Sequence, residues 1–164
     1  MIGDFIPVLS SFELQEYLYK AAASPRRRHP KILHQSGDGF NQVFNFMMED
    51  TYMQPHLHPS KEKIEKIYLV QGCFAVLIFN KEGDIEKISI LEKGRLESIE
   101  ISAFTWHTYV MLSNNVVTYE TMMGKFHPET WKELADWAPT EESVESIDYL
   151  KFLKRQVKGD LAEW

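Results

Sequence analysis

Two histidines separated by one residue, in Tyr52-Met53-Gln54-Pro55-His56-Leu57-His58, carry the sharpest chemical signal in the 164-residue sequence. Residues two apart on a β-strand face the same way, so the imidazoles of His56 and His58 converge on one point while Leu57 turns away. Imidazole is a good ligand for zinc, iron, nickel or copper, and two rings fixed on one strand lose little entropy when a metal arrives. Just downstream, Glu62 and Glu65 each offer a carboxylate that could add a ligand and offset part of a divalent charge. Much later, His107 in Thr105-Trp106-His107-Thr108-Tyr109 offers a third imidazole from a run that reads as a strand able to lie beside the first. An isolated H-x-H pair is as readily two solvated residues at a strand end. The carboxylates and the third histidine weigh against that plainer reading.

Bringing such distant residues together requires a closed β-architecture, and the middle of the chain has its texture. From Phe40 onward, short β-branched and aromatic runs occupy 43–48, 64–70, 74–79, 85–91, 96–101, 106–112 and 116–122. Turn-forming residues such as Gln71-Gly72, Lys93-Gly94 and Ser113-Asn114-Asn115 separate them at steps of about 8–12 residues. Gaps this short leave no room for βαβ crossovers, so an antiparallel sandwich or barrel is expected. Ser10-Ser11-Phe12-Glu13 has the S-x-x-E form of a capping box, and Phe12, Leu14, Leu18 and Ala21 follow at helical intervals until Ser24-Pro25. Val144, Ile147, Leu150, Leu153 and Val157 recur at three- and four-residue steps, which predicts an amphipathic helix over 143–157 packed on the barrel. The organisation expected is one domain over 1–164: an N-terminal helix in 1–24, a β-barrel over 40–124 and a helical extension over 125–164.

Composition narrows the function. With 18 basic against 24 acidic side chains the net charge is -6, so a nucleic-acid backbone is not the expected partner. Cys73 stands alone and can form neither an internal disulfide nor a multi-cysteine zinc site, which suits a reducing, cytoplasmic setting. Met1 to Phe5 lack the basic start of a signal peptide, and no apolar run approaches the ~20 residues of a membrane span.

The histidine pattern resembles the cupin superfamily, whose first motif, G-x5-H-x-H-x3–4-E-x6-G, is matched by His56, His58 and Gly72, with His107 in the place of the second motif's histidine. The chain is still more similar to the WbuC-type cupin fold metalloproteins, through Ala23-Ser24-Pro25-Arg26-Arg27-Arg28, the stretch from Tyr52 to Pro59, Trp106-His107-Thr108 and Trp137-Ala138-Pro139. The fold this implies is an all-β cupin core, a double-stranded β-helix or jelly-roll barrel with flanking N- and C-terminal helices. The cupin spacing selects Glu62 when counted from His58 and Glu65 when counted back from Gly72. Glu65 is the better choice, because Glu65, Ile67 and Leu69 alternate along one strand face whereas Glu62 lies in a lysine-rich loop. Ser102 and Phe104 replace the second motif's proline and glycine, and Met111 its terminal asparagine. Because Phe104 would resist a positive φ, either the loop takes another path or its ring shapes the pocket. The groups behind His107 are also expected to differ.

The resemblance implies one divalent metal, iron, manganese, nickel or zinc, held by His56, His58, Glu65 and His107, with Glu62 as the alternative carboxylate. It also implies a small polar or anionic ligand, a sugar or sugar nucleotide of bacterial O-antigen or surface-polysaccharide metabolism. Isomerisation or epimerisation would need a proton-transfer group, for which Glu120, Tyr109 and Glu62 are candidates, whereas oxygenation needs only an open redox metal. Arg26 and Arg28 are candidates to hold the anionic end, against the plainer reading of a solvated charge run. Binding or sensing without turnover, a purely structural metal site, and a homodimer through a sheet edge or the first helix stand as alternatives. His29, His34 and His127 are expected outside the site, Cys73 as a small buried hydrophobe, and Phe44, Phe46, Tyr68, Phe74 and Phe79 in the core. Glu120 suits either an inward proton carrier or an outward charge on an edge strand.

Overall fold

Ser10 caps the first helix in the computed structural model, which describes residues 6–162; Met1 to Phe5, and the leader reading made on them, lie outside the described residues. Ser10 Oγ accepts from Glu13 N–H at 3.1 Å, and Glu13 Oε2 accepts from Ser10 N–H at 3.1 Å, the reciprocal capping box that opens α1 (Ser11–Ala23). Ten strands follow: β1 (Arg28–Ile32), β2 (Phe40–Met48), β3 (His56–Leu57), β4 (Glu65–Gln71), β5 (Cys73–Phe79), β6 (Ile85–Glu92), β7 (Ser98–Ile101), β8 (Trp106–Met111), β9 (Asn115–Met123) and β10 (Glu133–Leu134). The described chain closes with α2 (Glu145–Ala162), and no helix in it is long and apolar enough to cross a membrane. The strands form two five-stranded antiparallel sheets, ordered β1-β2-β9-β4-β7 and β10-β3-β8-β5-β6. Two antiparallel sheets with two flanking helices are the jelly-roll arrangement that the resemblance implies.

Strand alternation sorts the side chains into three layers. Met47, Ile67, Leu69, Phe74, Val76, Met111 and Val116 fill the space between the sheets. Their neighbours one residue away face outward: Phe44, Phe46, Val117 and Tyr119 pack under α1 with Ala21, while Ala75, Leu77 and Val110 pack under Leu153 and Val157 of α2. Sheets covered on both faces explain the nearly continuous apolar run of β5. Gly72 joins β4 to β5 with φ 90°, and a Cβ there would collide with the carbonyl oxygen of Asn115, so only glycine fits this turn.

The inner layer changes character along its length. Met111, Tyr109 and His107 share the inward face of β8; Val116, Thr118 and Glu120 that of β9; Leu69, Ile67 and Glu65 that of β4; Met47 and Asn45 that of β2. Each strand is apolar at one end and polar at the other. The polar ends meet.

Several expectations change. Arg28–Ile32 is an edge strand despite Pro30, whose missing N–H costs nothing on a free edge. Val144, Ile147 and Phe12 are exposed, because the helices bury only the stripes through Leu150, Leu153 and Val157 and through Leu14, Leu18 and Ala21. Cys73 and Tyr68 are half-buried rather than enclosed, whereas Phe44, Phe46, Phe74 and Phe79 are core. Glu120 is not on an edge, since β9 lies between β2 and β4.

Candidate metal centre

His56 on β3 pairs directly with His107 on β8, and this register sets their ring centroids 4.4 Å apart. His58 follows just after β3, and Glu65 opens β4 in the opposite sheet. One ligand-type atom from each of His56, His58, Glu65 and His107 lies within 4.8 Å of all the others, and all four residues are buried. Glu62 is outside the cluster: it sits in an exposed turn and accepts a hydrogen bond from Ser60 Oγ. Residues 60–62 form the turn that absorbs the extra spacing after His58.

Backbone carbonyls fix the ring orientations. Nδ1 of His56 lies 3.0 Å from the Gln54 oxygen, that of His58 2.9 Å from the Trp131 oxygen, and that of His107 2.8 Å from the Thr105 oxygen. A carbonyl only accepts, so each Nδ1 carries the proton and donates it. With Nδ1 committed to a carbonyl, each ring turns its Nε2 inward, the arrangement that backbone carbonyls impose on metal-bound histidines. His107 Nε2 is 3.0 Å and His58 Nε2 3.4 Å from Glu65 Oε2, and His58 Nε2 is buried without a hydrogen-bond partner. An acceptor facing an acceptor at such distances is stable only with a proton or a cation between them. The donor set thus fits a divalent transition metal.

Electrostatics separate the carboxyls. Burial would push Glu65 up, but the His107 and His58 rings packed against its carboxylate outweigh it and hold Glu65 well below the ordinary carboxylate range. Burial, reinforced by His107, holds His56 well below its ordinary value, so its lone pair stays free. Glu120 goes the other way: burial, then the Glu65 charge, pushes it well above its ordinary value. Asn45 Nδ2 donates to its Oε2, while its Oε1 is buried without a partner. Tyr109 Oη donates to Glu65 Oε1 at 2.9 Å, and burial followed by Glu120 and Glu65 raises its phenol well above the usual range.

A cavity of about 250 Å³ reaches His56, His58 and Glu65 and is also lined by Asn45, Tyr109 and Glu120. Arg26 and Arg28 reach it too, but they are not free. Arg26 Nε lies 2.9 Å from Glu141 Oε2, Arg28 pairs with the same carboxylate, and Arg28 also donates to the Tyr52 oxygen at 3.0 Å. Arg27 points to Asp50. Glu141 lies more than a hundred residues along the chain, so no local pattern could reveal this neutralisation. His29, His34 and His127 stay outside the cluster.

Phe104 adopts φ 60° and its N–H donates to the His58 oxygen at 3.0 Å. The loop therefore keeps the left-handed turn that glycine would take, contrary to the expected detour, because this bond ties it to the His58 backbone. The ring is 54% exposed and does not line the cavity, so it does not shape the pocket either.

Sequence reasoning missed the segment that closes the site. β10 pairs with β3, Leu134 opposite His56 and Glu133 opposite Leu57. Lys63 Nζ donates to the Thr130 oxygen at 2.9 Å and lies 4.8 Å from the centroid of the Trp131 ring. Lys132 follows and lines the cavity. With Glu133 and Leu134 both exposed and no periodicity around them, this strap leaves no mark in the sequence.

Among solved structures, the fold is shared with protein SO0799 from Shewanella oneidensis, at TM-score 0.53 and 10% identity over 64% of this chain and 72% of that one. It is shared with the capsular polysaccharide assembling protein CapF from Staphylococcus aureus, at TM-score 0.58 and 18% identity, over 68% of this chain and 32% of CapF. An oxalate oxidase in complex with the substrate analogue glycolate matches at TM-score 0.54 and 12% identity, over 69% of this chain and 57% of that one. The chain thus spans about a third of CapF and just over half of the oxidase, and identities this low establish the fold alone. A comparison with curated proteins finds no match. Residues 9–91, just over half the sequence and including His56, His58 and Glu65, match the family model described as Domain of unknown function (DUF6016), and the chain belongs to that family.

Proposed function

We propose that this chain is a cupin metalloprotein that holds one divalent metal through His56, His58, Glu65 and His107 and rearranges a small polar or anionic molecule by proton transfer. The observation that carries this reading is the convergence of three Nε2 lone pairs and a carboxylate oxygen on one buried point, with His58 Nε2 left without a hydrogen-bond partner. When bound, such a metal supplies a Lewis acid that polarises a carbonyl or hydroxyl. The protein's own residues favour isomerisation or epimerisation over oxygenation, because the cavity holds acid–base groups beyond the ligands. Glu120, protonated by its burial, is the proton carrier; Asn45 orients it, and its Oε1 is the atom left to serve the ligand. Tyr109 holds Glu65 in place and keeps its own proton. Arg26 and Arg28 at the mouth give the ligand's anionic end a positive rim, although Glu141 shares them. The likeness to WbuC-type proteins, and the fold shared with a capsular polysaccharide assembling protein, support a sugar-derived ligand of surface-polysaccharide metabolism.

Metal analysis of the isolated protein tests the centre. One equivalent is expected in the wild type and in Glu62→Ala, and loss in His56→Ala and Glu65→Ala. Stoichiometric metal in the His56→Ala protein would overturn the assignment.

A further inference from the structure

We propose that Lys132 anchors the carboxylate of a small organic acid, no larger than a monosaccharide, in the cavity beside the metal centre. The proposal deepens the reading above and rests on it. Among the described cations that line this cavity, Lys132 alone has neither a hydrogen bond nor an ion pair. Arg26 and Arg28 are both engaged by Glu141, and Arg28 additionally by Thr51 Oγ1 at 3.2 Å and the Tyr52 oxygen. Lys63, outside the lining, is spent on the Thr130 and Trp131 carbonyls.

Lys132 is also held in place. The carbonyl before it fixes His58, and the two residues after it pair with Leu57 and His56. Backbone bonds on both sides therefore fix the Lys132 backbone beside the cluster, and its side chain lines the cavity. Lys132 is half-buried, and burial followed by Arg28 keeps it below its ordinary range, against the smaller opposing pull of Glu141 and Glu65.

Charge and size choose the ligand. Three cations face the carboxylates of Glu65 and Glu141, with Glu120 held neutral, so this cavity is electropositive in a chain whose net charge is -6. One unneutralised ammonium suits a carboxylate monoanion, whereas phosphate sites usually recruit arginine forks or backbone nests. The volume of about 250 Å³ falls short of the ~300–1,000 Å³ that encloses a drug-sized ligand, so a whole sugar nucleotide does not fit inside.

Calorimetric titration of the metal-loaded full chain with acetate, lactate, glucuronate, neutral glucose and inorganic phosphate tests this, in wild type, Lys132→Met and Lys132→Arg. At least one of the three carboxylates should bind the wild type, lose about tenfold or more in affinity in Lys132→Met, and recover in Lys132→Arg, as a charge-assisted hydrogen bond requires. Glucose binding should be the same in all three proteins, as should metal content. Equal carboxylate affinity in wild type and Lys132→Met overturns the proposal, as does absence of carboxylate binding or a Lys132-dependent preference for phosphate. Metal content in the same samples separates the two readings: a protein that takes up no metal yet binds carboxylate through Lys132 sinks only the metal centre.

Discussion

Lys63 is a lever on His58 that does not touch the metal-binding atoms. Its ammonium donates to the Thr130 oxygen at 2.9 Å and lies 3.4 Å from the Trp131 oxygen, the acceptor of His58 Nδ1–H. Lys63→Met keeps most of the aliphatic stem and removes the charge. A hydrogen bond to a charged group contributes about 1.5–3 kcal/mol, and the contact with the Trp131 ring adds roughly 0.5–1 kcal/mol. Thr130 is exposed, so water can replace the lysine at that carbonyl and the lower end applies, about 2 kcal/mol. For a chain of this length that lowers Tm by roughly 4–8 °C. Loosening the partner of a ligating histidine should also weaken metal binding by about 10–100-fold. Thermal denaturation and competition with a chromophoric chelator measure the two effects. A variant whose Tm falls while its metal affinity stays at the wild-type value would show that the strap stabilises the fold without orienting His58, and the reasoning would fail.

Two further outcomes follow from single residues. Glu120 has its carboxyl raised by burial and by Glu65, so the stability it contributes is full below its ordinary value of 4.5 and declines as pH rises from there through its folded value. Metal-free Glu120→Gln should hold its Tm across that rise where the wild type loses it; parallel Tm-against-pH curves would contradict the buried neutral acid. Phe104→Gly should stabilise the protein by about 0.5–1 kcal/mol in urea denaturation, since relief of a strained φ of 60° exceeds the entropy cost of glycine and the ring is already 54% exposed. Destabilisation by a comparable amount would show that the ring's packing outweighs its backbone strain.

The parts of this molecule legible in the sequence are those where side chains decide. Met47, Phe74 and Val76 had to be buried wherever the strands lay, and the spacing of His56 and His58 fixes a shared direction on any extended backbone. Glu65 could be preferred to Glu62 because alternation with Ile67 and Leu69 is a property of one strand. The parts that were not legible depend on backbone pairing or on distant partners. Glu133 and Leu134 are both exposed and form a strand only because β3 presents an unpaired edge. Pro30 disguised an edge strand. The Arg26 and Arg28 charges looked free until Glu141, more than a hundred residues away, arrived between them. Lys132 carries no mark in the sequence at all, because what sets it apart is the absence of a hydrogen bond or ion pair in the folded chain.

The division of the inner layer into an apolar and a polar end explains how such a site is tolerated. Buried carboxyls and imidazoles each cost free energy unless a partner answers them. Along β4, β8 and β9 the same strands that bring Glu65, His107 and Glu120 together also bring Leu69, Met111 and Val116 together a few residues away. The hydrophobic contacts at one end thus clamp the geometry at the other, so the polar groups need to satisfy one another only in part, as Tyr109 does Glu65 and Asn45 does Glu120. That is why His58 Nε2 and Glu120 Oε1 can remain without partners in a well-formed fold. Groups left unsatisfied in that way are the ones available to an ion and to a ligand, and their placement, Glu120 within β9 and His58 just past β3 with its ring bonded to the Trp131 carbonyl, keeps them aimed when neither is present.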